Sequence, residues 1–173
     1  MIYNLKTEES VECYYREVDI VEAGEYVPPR WLFDFKEEFN DGYKVFVLET
    51  LEYPGVAQGV VAIGINKAEV SVHLKSTESS ADNKTFIRGQ KRNGINKDRI
   101  YTGVGANLVA FACQYSLENE CEGFMYLISK TETVSFYEDL GGISFGHRVV
   151  FNEFAGRRLA DRYFPGGEIQ WLK

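Results

Sequence analysis

Gly103 and Gly105, in the run Thr102-Gly103-Val104-Gly105-Ala106, are the residues whose type and spacing point most directly to chemistry. They precede a stretch in which Leu108, Phe111, Ala112 and Tyr115 recur at i, i+3, i+4 and i+7, one face of a helix. A helix start leaves backbone N–H groups without partners and carries a partial positive charge. Glycines at that point let a phosphate approach those N–H groups closely. Just upstream, Lys84, Arg88, Lys91, Arg92, Lys97 and Arg99 stand against Asp98 alone within residues 84–99, a local charge of +5 in a chain of net charge −7. Glycines, helix start and basic flank together predict a phosphate or pyrophosphate site. Taken singly, the glycines also fit a packing turn and the basic run a solvated loop.

Several other chemistries are excluded. A Walker A loop ends in Gly-Lys-Ser/Thr, which is absent, and a dinucleotide fingerprint needs a third glycine where Leu108 stands. His73 and His147 are the only histidines and no GxSxG elbow is present, so a serine-hydrolase triad has no sequence support. Cys13, Cys113 and Cys121 form an odd count without CxxC spacing. They give neither a disulfide framework nor a zinc site, no metal is expected, and reduced thiols fit a cytoplasmic protein. No apolar run approaches twenty residues, and Met1 to Ser10 lacks the apolar core of a signal peptide, so neither a membrane span nor secretion is expected. The acidic net charge argues against a nucleic-acid partner, because phosphate neutralisation needs basic surface.

The elements that must position the glycine run are readable in outline. The 173 residues, 45% hydrophobic and 26% charged, match one globular domain, residues 1–173. A strand is expected over Tyr14 to Ala23, and a helix over Arg30 to Phe39, where Trp31, Phe35 and Phe39 recur every four residues after Pro28-Pro29. Strands follow over Lys44 to Thr50, Ala57 to Ile65 and Ala68 to Ser76, the last alternating apolar Val70, Val72 and Leu74 with polar Glu69, Ser71, His73 and Lys75. Residues 77–99 read as a long basic loop. After the helix that Gly105 opens come a strand over Phe124 to Ser129, a helix over Thr131 to Leu140 ended by Gly141-Gly142, a strand over Arg148 to Asn152, and a last helix carrying Ala155, Leu159 and Tyr163. This order predicts an α/β fold of the α+β mixed-sheet kind, a mostly antiparallel central sheet flanked by helices. Glu37-Glu38 reads as a solvated helix face.

Thr102-Gly103-Val104-Gly105-Ala106-Asn107-Leu108, a helix, a strand and then Ser135-Phe136-Tyr137-Glu138-Asp139-Leu140-Gly141-Gly142 resemble the GNAT superfamily of N-acetyltransferases, including the tail of one bacterial branch. The first run resembles that family's Q/R-x-x-G-x-G/A loop, which holds the pyrophosphate of acetyl-coenzyme A, and the second its N-x-x-A-x-x-F-Y-x-x-x-G-F signature. Ile100 stands where the family has Gln or Arg, with Arg99 adjacent; Lys130 stands at the usual Asn; Gly142-Ile143 replaces Gly-Phe. The resemblance implies a GNAT-like acyl-CoA N-acyltransferase fold and transfer of an acetyl group from acetyl-CoA to a primary amine by direct attack. It assigns the cosubstrate to Arg99, Tyr101, Thr102, Gly103, Val104, Gly105, Ala106 and Lys130, and the general acid to Tyr137, whose unperturbed pKa of about 10 suits a departing thiolate. It draws the base from the strand holding Glu69 and His73, or from Glu78 after it. The alternative is a GNAT-fold module that binds coenzyme A or a partner without catalysis. Residues 1–41, with eleven acidic and four basic side chains, would favour a cationic acceptor; the resemblance also admits a homodimer.

Overall fold

The computed structural model describes residues 1–86 and 94–172, so Arg88, Lys91 and Arg92 of the basic segment lie outside the described residues. In chain order the elements are β1 (Ile2–Asn4), β2 (Glu9–Val11), β3 (Cys13–Glu17), α1 (Ile20–Ala23), α2 (Phe35–Asn40), β4 (Lys44–Thr50), β5 (Gly59–Asn66) and β6 (Ser71–Ser79). They continue with β7 (Tyr101–Thr102), α3 (Val104–Glu118), β8 (Met125–Ile128), α4 (Val134–Asp139), β9 (Ile143–Phe145), β10 (Arg148–Phe151) and α5 (Glu153–Tyr163). Seven strands form one sheet in the order β3-β4-β5-β6-β8-β10-β9, antiparallel except where β6 meets β8; β2, β1 and β7 form a small second sheet. The mixed α/β architecture expected from the sequence is the one observed. No helix among the described residues is long and apolar enough to cross a membrane.

Strand alternation divides the core between the two faces of the large sheet. Phe46, Leu48, Val61, Ile63, Val72, Leu74, Met125 and Leu127 face α3 and α5, where Tyr15 stacks on Phe111 with ring centroids 4.0 Å apart. Val45, Val47, Val60 and Ala62 face α1, α2 and the loop between them, against Tyr26, Trp31 and Phe35. Of the aromatics near the N-terminus, Tyr15, Tyr26 and Trp31 are therefore core.

Local chemistry moved several boundaries. The strand expected over Tyr14 to Ala23 stops at Glu17, because Asp19 caps α1 by accepting from the amides of Val21 and Glu22. The helix expected from Arg30 starts at Phe35, where Asp34 accepts from the Glu37 amide at 2.9 Å, and Trp31 enters the core from a loop. The third meander strand runs Ser71–Ser79, because Val70 takes a positive φ of 47° in the preceding turn. The segment read as loop from Thr77 thus begins as strand. Strands β1, β2, β7 and β9, of two or three residues, are too short for periodicity to reveal.

α5 seats against the turn that launches β8 through a backbone-to-backbone approach. A Cβ on Gly156 would lie 2.0 Å from the Gly123 carbonyl oxygen. Gly156→Ala is expected to cost about 2–4 kcal/mol, the upper range for overpacking because main chain must move. Gly166→Ala, which meets nothing within 4 Å, should stay within about 0.5 kcal/mol. Urea unfolding of the two variants checks the pair.

Candidate active site

The parallel strands β6 and β8 share only two register positions, Val72 with Met125 and His73 with Tyr126. Beyond them β6 continues to Ser79 with its ladder on the β5 side, while β8 pairs with β10. The two strands therefore part and leave a wedge between Leu74–Ser79 on one side and Leu127–Ser129 on the other. A bulge explains the divergence locally. Ala62 opposes Ser76 and Ile63 opposes Leu74, so Lys75 is an extra residue in β6, and such an insertion bends and twists its strand.

Helix α3 begins beside this wedge. Gly103 adopts φ 85°, a left-handed conformation open to glycine, and turns the chain out of β7 into the helix. The amides of Val104, Gly105 and Ala106 have no acceptor among the described residues, whereas the next amide, Asn107, bonds the Gly103 carbonyl at 2.9 Å. A Cβ at Gly105 would stand 3.5 Å from the Phe136 ring of α4 and 3.7 Å from Ser79 Oγ of β6. The glycine thus keeps a narrow space clear where helix start, strand end and α4 converge, and the free amides and positive helix end supply what an anion needs.

A buried polar network fixes that helix start. Asn107, fully buried, donates to the Met1 carbonyl at 3.1 Å and accepts from the Tyr15 hydroxyl at 2.7 Å. Asn83 accepts from the Tyr101 amide at 2.9 Å and donates to Gln58 and Ser80. The Tyr101 hydroxyl donates to Glu52 at 2.7 Å. Tyr101 and Val104 are therefore fold-forming side chains that offer at most their backbone to a ligand. Ile100 packs partly buried against the core. Arg99 donates to Thr85 Oγ1 at 2.8 Å and lines a cavity of about 260 Å³ together with Lys6 and Lys97; none of its lining residues belongs to the wedge. Lys130 is exposed just past β8, with its carbonyl accepting from the Thr133 amide at 3.0 Å. Thr102 is half-buried at the end of β7.

Tyr137 lies on α4 beside Phe136, ring centroids 5.1 Å apart, and packs partly against the α3-side core. Its hydroxyl has no hydrogen-bond partner among the described residues, and burial holds the phenol above its usual pKa, so it stays protonated at neutral pH. The three acid–base candidates from the β6 region separate. Glu69 precedes β6, at the end away from the wedge, and pairs with Arg148 at 2.8 Å. His73 occupies the last β6–β8 register position, its ring stacked on Tyr126 at 4.6 Å and its Nδ1 3.0 Å from the Tyr43 hydroxyl. Burial first, then the charges of Lys75 and Arg148, depress the His73 pKa, which leaves it neutral. Glu78, buried on β6, accepts from the amides of Leu32 and Phe33 and from Lys84.

Glu38 departs from its expected solvated position. It is 8% exposed, and its Oε1 accepts from the hydroxyl of Ser76 on the free stretch of β6. The sequence signal was present, since Phe35, Glu38 and Phe39 share one helical face by their i, i+3, i+4 spacing. Adjacent acidic residues gave no reason to single out the inward one. Ser76 and Ser79 came from no motif position, whereas Phe136 belongs to the Phe-Tyr pair of the second motif; the meeting of Ser79 and Phe136 at Gly105 is set by tertiary packing.

No protein-family model matches the chain, and no curated protein matches it significantly. Among solved structures, AtaTR bound with acetyl-CoA aligns at 15% identity over 86% of this chain and 98% of its own, with a TM-score of 0.56. A mutant AtaT toxin bound to the C-terminus of the antitoxin AtaR and acetyl-CoA aligns at 13% identity over 89% and 99%, with a TM-score of 0.53. Nourseothricin acetyltransferase aligns at 14% identity over 78% and 85%, with a TM-score of 0.50. The chain has the fold of the GNAT acetyltransferases, as the sequence resemblance implied.

Glu78 ties β6, the α1–α2 loop and the start of the basic segment into one unit beside the wedge. Glu78→Ala removes the charge partner of Lys84 and the acceptor of two amides, and is expected to cost about 3 kcal/mol. Chemical denaturation checks the magnitude. The Lys84→Ala, Glu78→Ala double variant should lose less than the sum of the single changes.

Proposed function

We propose that this protein is an acetyl-CoA-dependent N-acetyltransferase, built from a single domain over residues 1–173, that acetylates a primary amine by direct attack. One observation carries the reading: the parting of β6 and β8 beside a helix start whose first amides are free, with Gly105 keeping that approach open. The residues fit the cosubstrate. The amides of Val104, Gly105 and Ala106 would hold the pyrophosphate, with Arg99 and Lys130 as its cations once their side chains swing toward it, and the wedge would take the arm that carries the thioester. Bound there, acetyl-CoA supplies an activated acyl carbon, and the protein's part is to bring the amine to it and manage two protons. Tyr137 is the general acid in this reading. Its raised pKa keeps the proton in place until a thiolate needs it. The acidic N-terminal third favours a cationic acceptor through its field, and three free buried cysteines agree with a reducing, cytoplasmic setting. The neighbours named above as an acetyltransferase and as acetyl-CoA complexes support the same chemistry.

Calorimetric titration with acetyl-CoA and thiol release with an amine panel test the reading. Gly105→Ala should leave stability unchanged, because the added methyl meets only ordinary contacts in the free protein, yet weaken acetyl-CoA binding about tenfold by occupying the phosphate approach. Tyr137→Phe should lower kcat on the order of 10²–10⁴-fold with the acetyl-CoA Kd unchanged. An absence of acetyl-CoA binding overturns the reading. Binding with no turnover of any amine assigns the protein instead to non-catalytic coenzyme A-binding modules.

A further inference from the structure

Four buried side-chain atoms of the described residues have no hydrogen-bond partner: Trp31 Nε1, Glu38 Oε2, Ser71 Oγ and Thr77 Oγ1. Orphaned buried polar atoms are rare enough that each asks for an explanation. Three gather around one short stretch of the fold. Thr77 lies on the free part of β6, Glu38 is bonded to that part through Ser76, and Trp31 heads the loop whose next two amides bond Glu78. Glu38 and Ser76 lie on the α1–α2 side of the sheet; Thr77, opposite Val61, points to the α3 side. The orphans thus lie on both faces of β6, and on the α1–α2 side one of them belongs to a carboxylate whose other oxygen accepts from Ser76.

We propose that Ser76 and Glu38 form the proton relay that deprotonates the attacking amine; this rests on the acetyl-transfer reading above. The amine, neutral when it attacks, forms the C–N bond. Its surplus proton passes to Ser76 Oγ as the Ser76 hydroxyl proton passes to Glu38 Oε1. The C–S bond breaks with its electron pair on sulfur, and sulfur takes its proton from Tyr137. Glu38 finishes protonated and Tyr137 deprotonated, and exchange with solvent restores both.

Geometry selects this pair over the other acids and bases. Glu69 is paired with Arg148 at the far end of the strand. His73 is held between Tyr43 and Tyr126 where β6 and β8 are still joined. Both oxygens of Glu78 are engaged, by Lys84 and the two loop amides. Glu38 differs from Glu69 and Glu78 in being buried with one carboxylate oxygen unpartnered among the described residues, and Ser76 carries its reach into the stretch of β6 that β8 has left. Its surroundings suit a base. Burial pushes its carboxyl up, the Ser76 hydroxyl and the Lys75 charge oppose that, and Asp34 and Asp41 at the ends of α2 push it further up. Glu78 on β6 is neutralised by Lys84, Glu22 on α1 and Glu49 on β4 are paired with Arg16, and β5 carries no charged residue. A base with a raised pKa works closer to neutral pH.

The test follows kcat against pH by thiol release from acetyl-CoA with saturating n-propylamine, spermidine or a lysine peptide as probe amine. Wild type should show an acidic limb, where Glu38 becomes protonated. Glu38→Gln should abolish that limb and lower kcat at neutral pH by about 10²-fold, while acetyl-CoA binding by calorimetry is unchanged. Ser76→Ala should behave alike, and Glu38→Asp should restore the limb in part. Should Glu38→Gln fail to fold, Ser76→Ala carries the test. A limb that survives in either folded variant overturns the relay and leaves the acetyltransferase reading standing. No thiol release by wild type with any probe overturns both.

Discussion

His73 and Tyr126 mark the last point at which β6 and β8 run together, and the functional geometry follows from their parting. A parallel pair held at two positions cannot close its sheet beyond them, so the polar groups of Ser76, Thr77, Glu78 and Ser79 need other partners. The extra residue at Lys75 turns β6 away and places Ser76 and Glu78 toward α1 and α2, with Thr77 and Ser79 toward α3. One strand thereby serves two compartments. In the function proposed above, the α3 side would take the anion and acyl arm, and the α1–α2 side, with its buried carboxylates and aromatic loop, would take the amine.

The rigidity of the α3 helix start comes from polar groups that are fully used. Asn107 and Asn83 each join distant segments, the first binding the chain's start and β3 to α3, the second binding β7 to Gln58 before β5 and to Ser80 just past β6. Buried amides bonded this thoroughly hold a helix start in one place. The small β2-β1-β7 sheet belongs to the same support, because β1 pairs with the strand that leads into Gly103. The basic flank takes part at its two ends, through Lys84 on Glu78 and Arg99 on Thr85.

Around the free part of β6 the polar groups are incompletely used. Trp31 Nε1, Glu38 Oε2 and Thr77 Oγ1 are buried and unbonded. Each such buried, unbonded group costs about 1–3 kcal/mol.

The sequence by itself determined the mixed α/β architecture, most helices and strands of any length, and the glycine run at a helix start, because periodicity and turn chemistry are local. Through motif spacing it also pointed to Tyr137 on the helix after β8. Its boundary errors came from local competition: Asp19 and Asp34 cap helices inside segments whose apolar spacing read otherwise, and a positive φ at Val70 delays β6. Only the tertiary structure decided which acids face inward and which neighbours they meet. Glu37 and Glu38 are alike in the sequence, yet α2 packs one against β6 and leaves the other at the surface. Glu69, His73 and Glu78 look equivalent along one strand, yet a salt bridge, a ring stack and two loop amides give each a different occupation. Bulge, divergence and cross-sheet partnership arise from contacts between segments dozens of residues apart, and no local pattern encodes them.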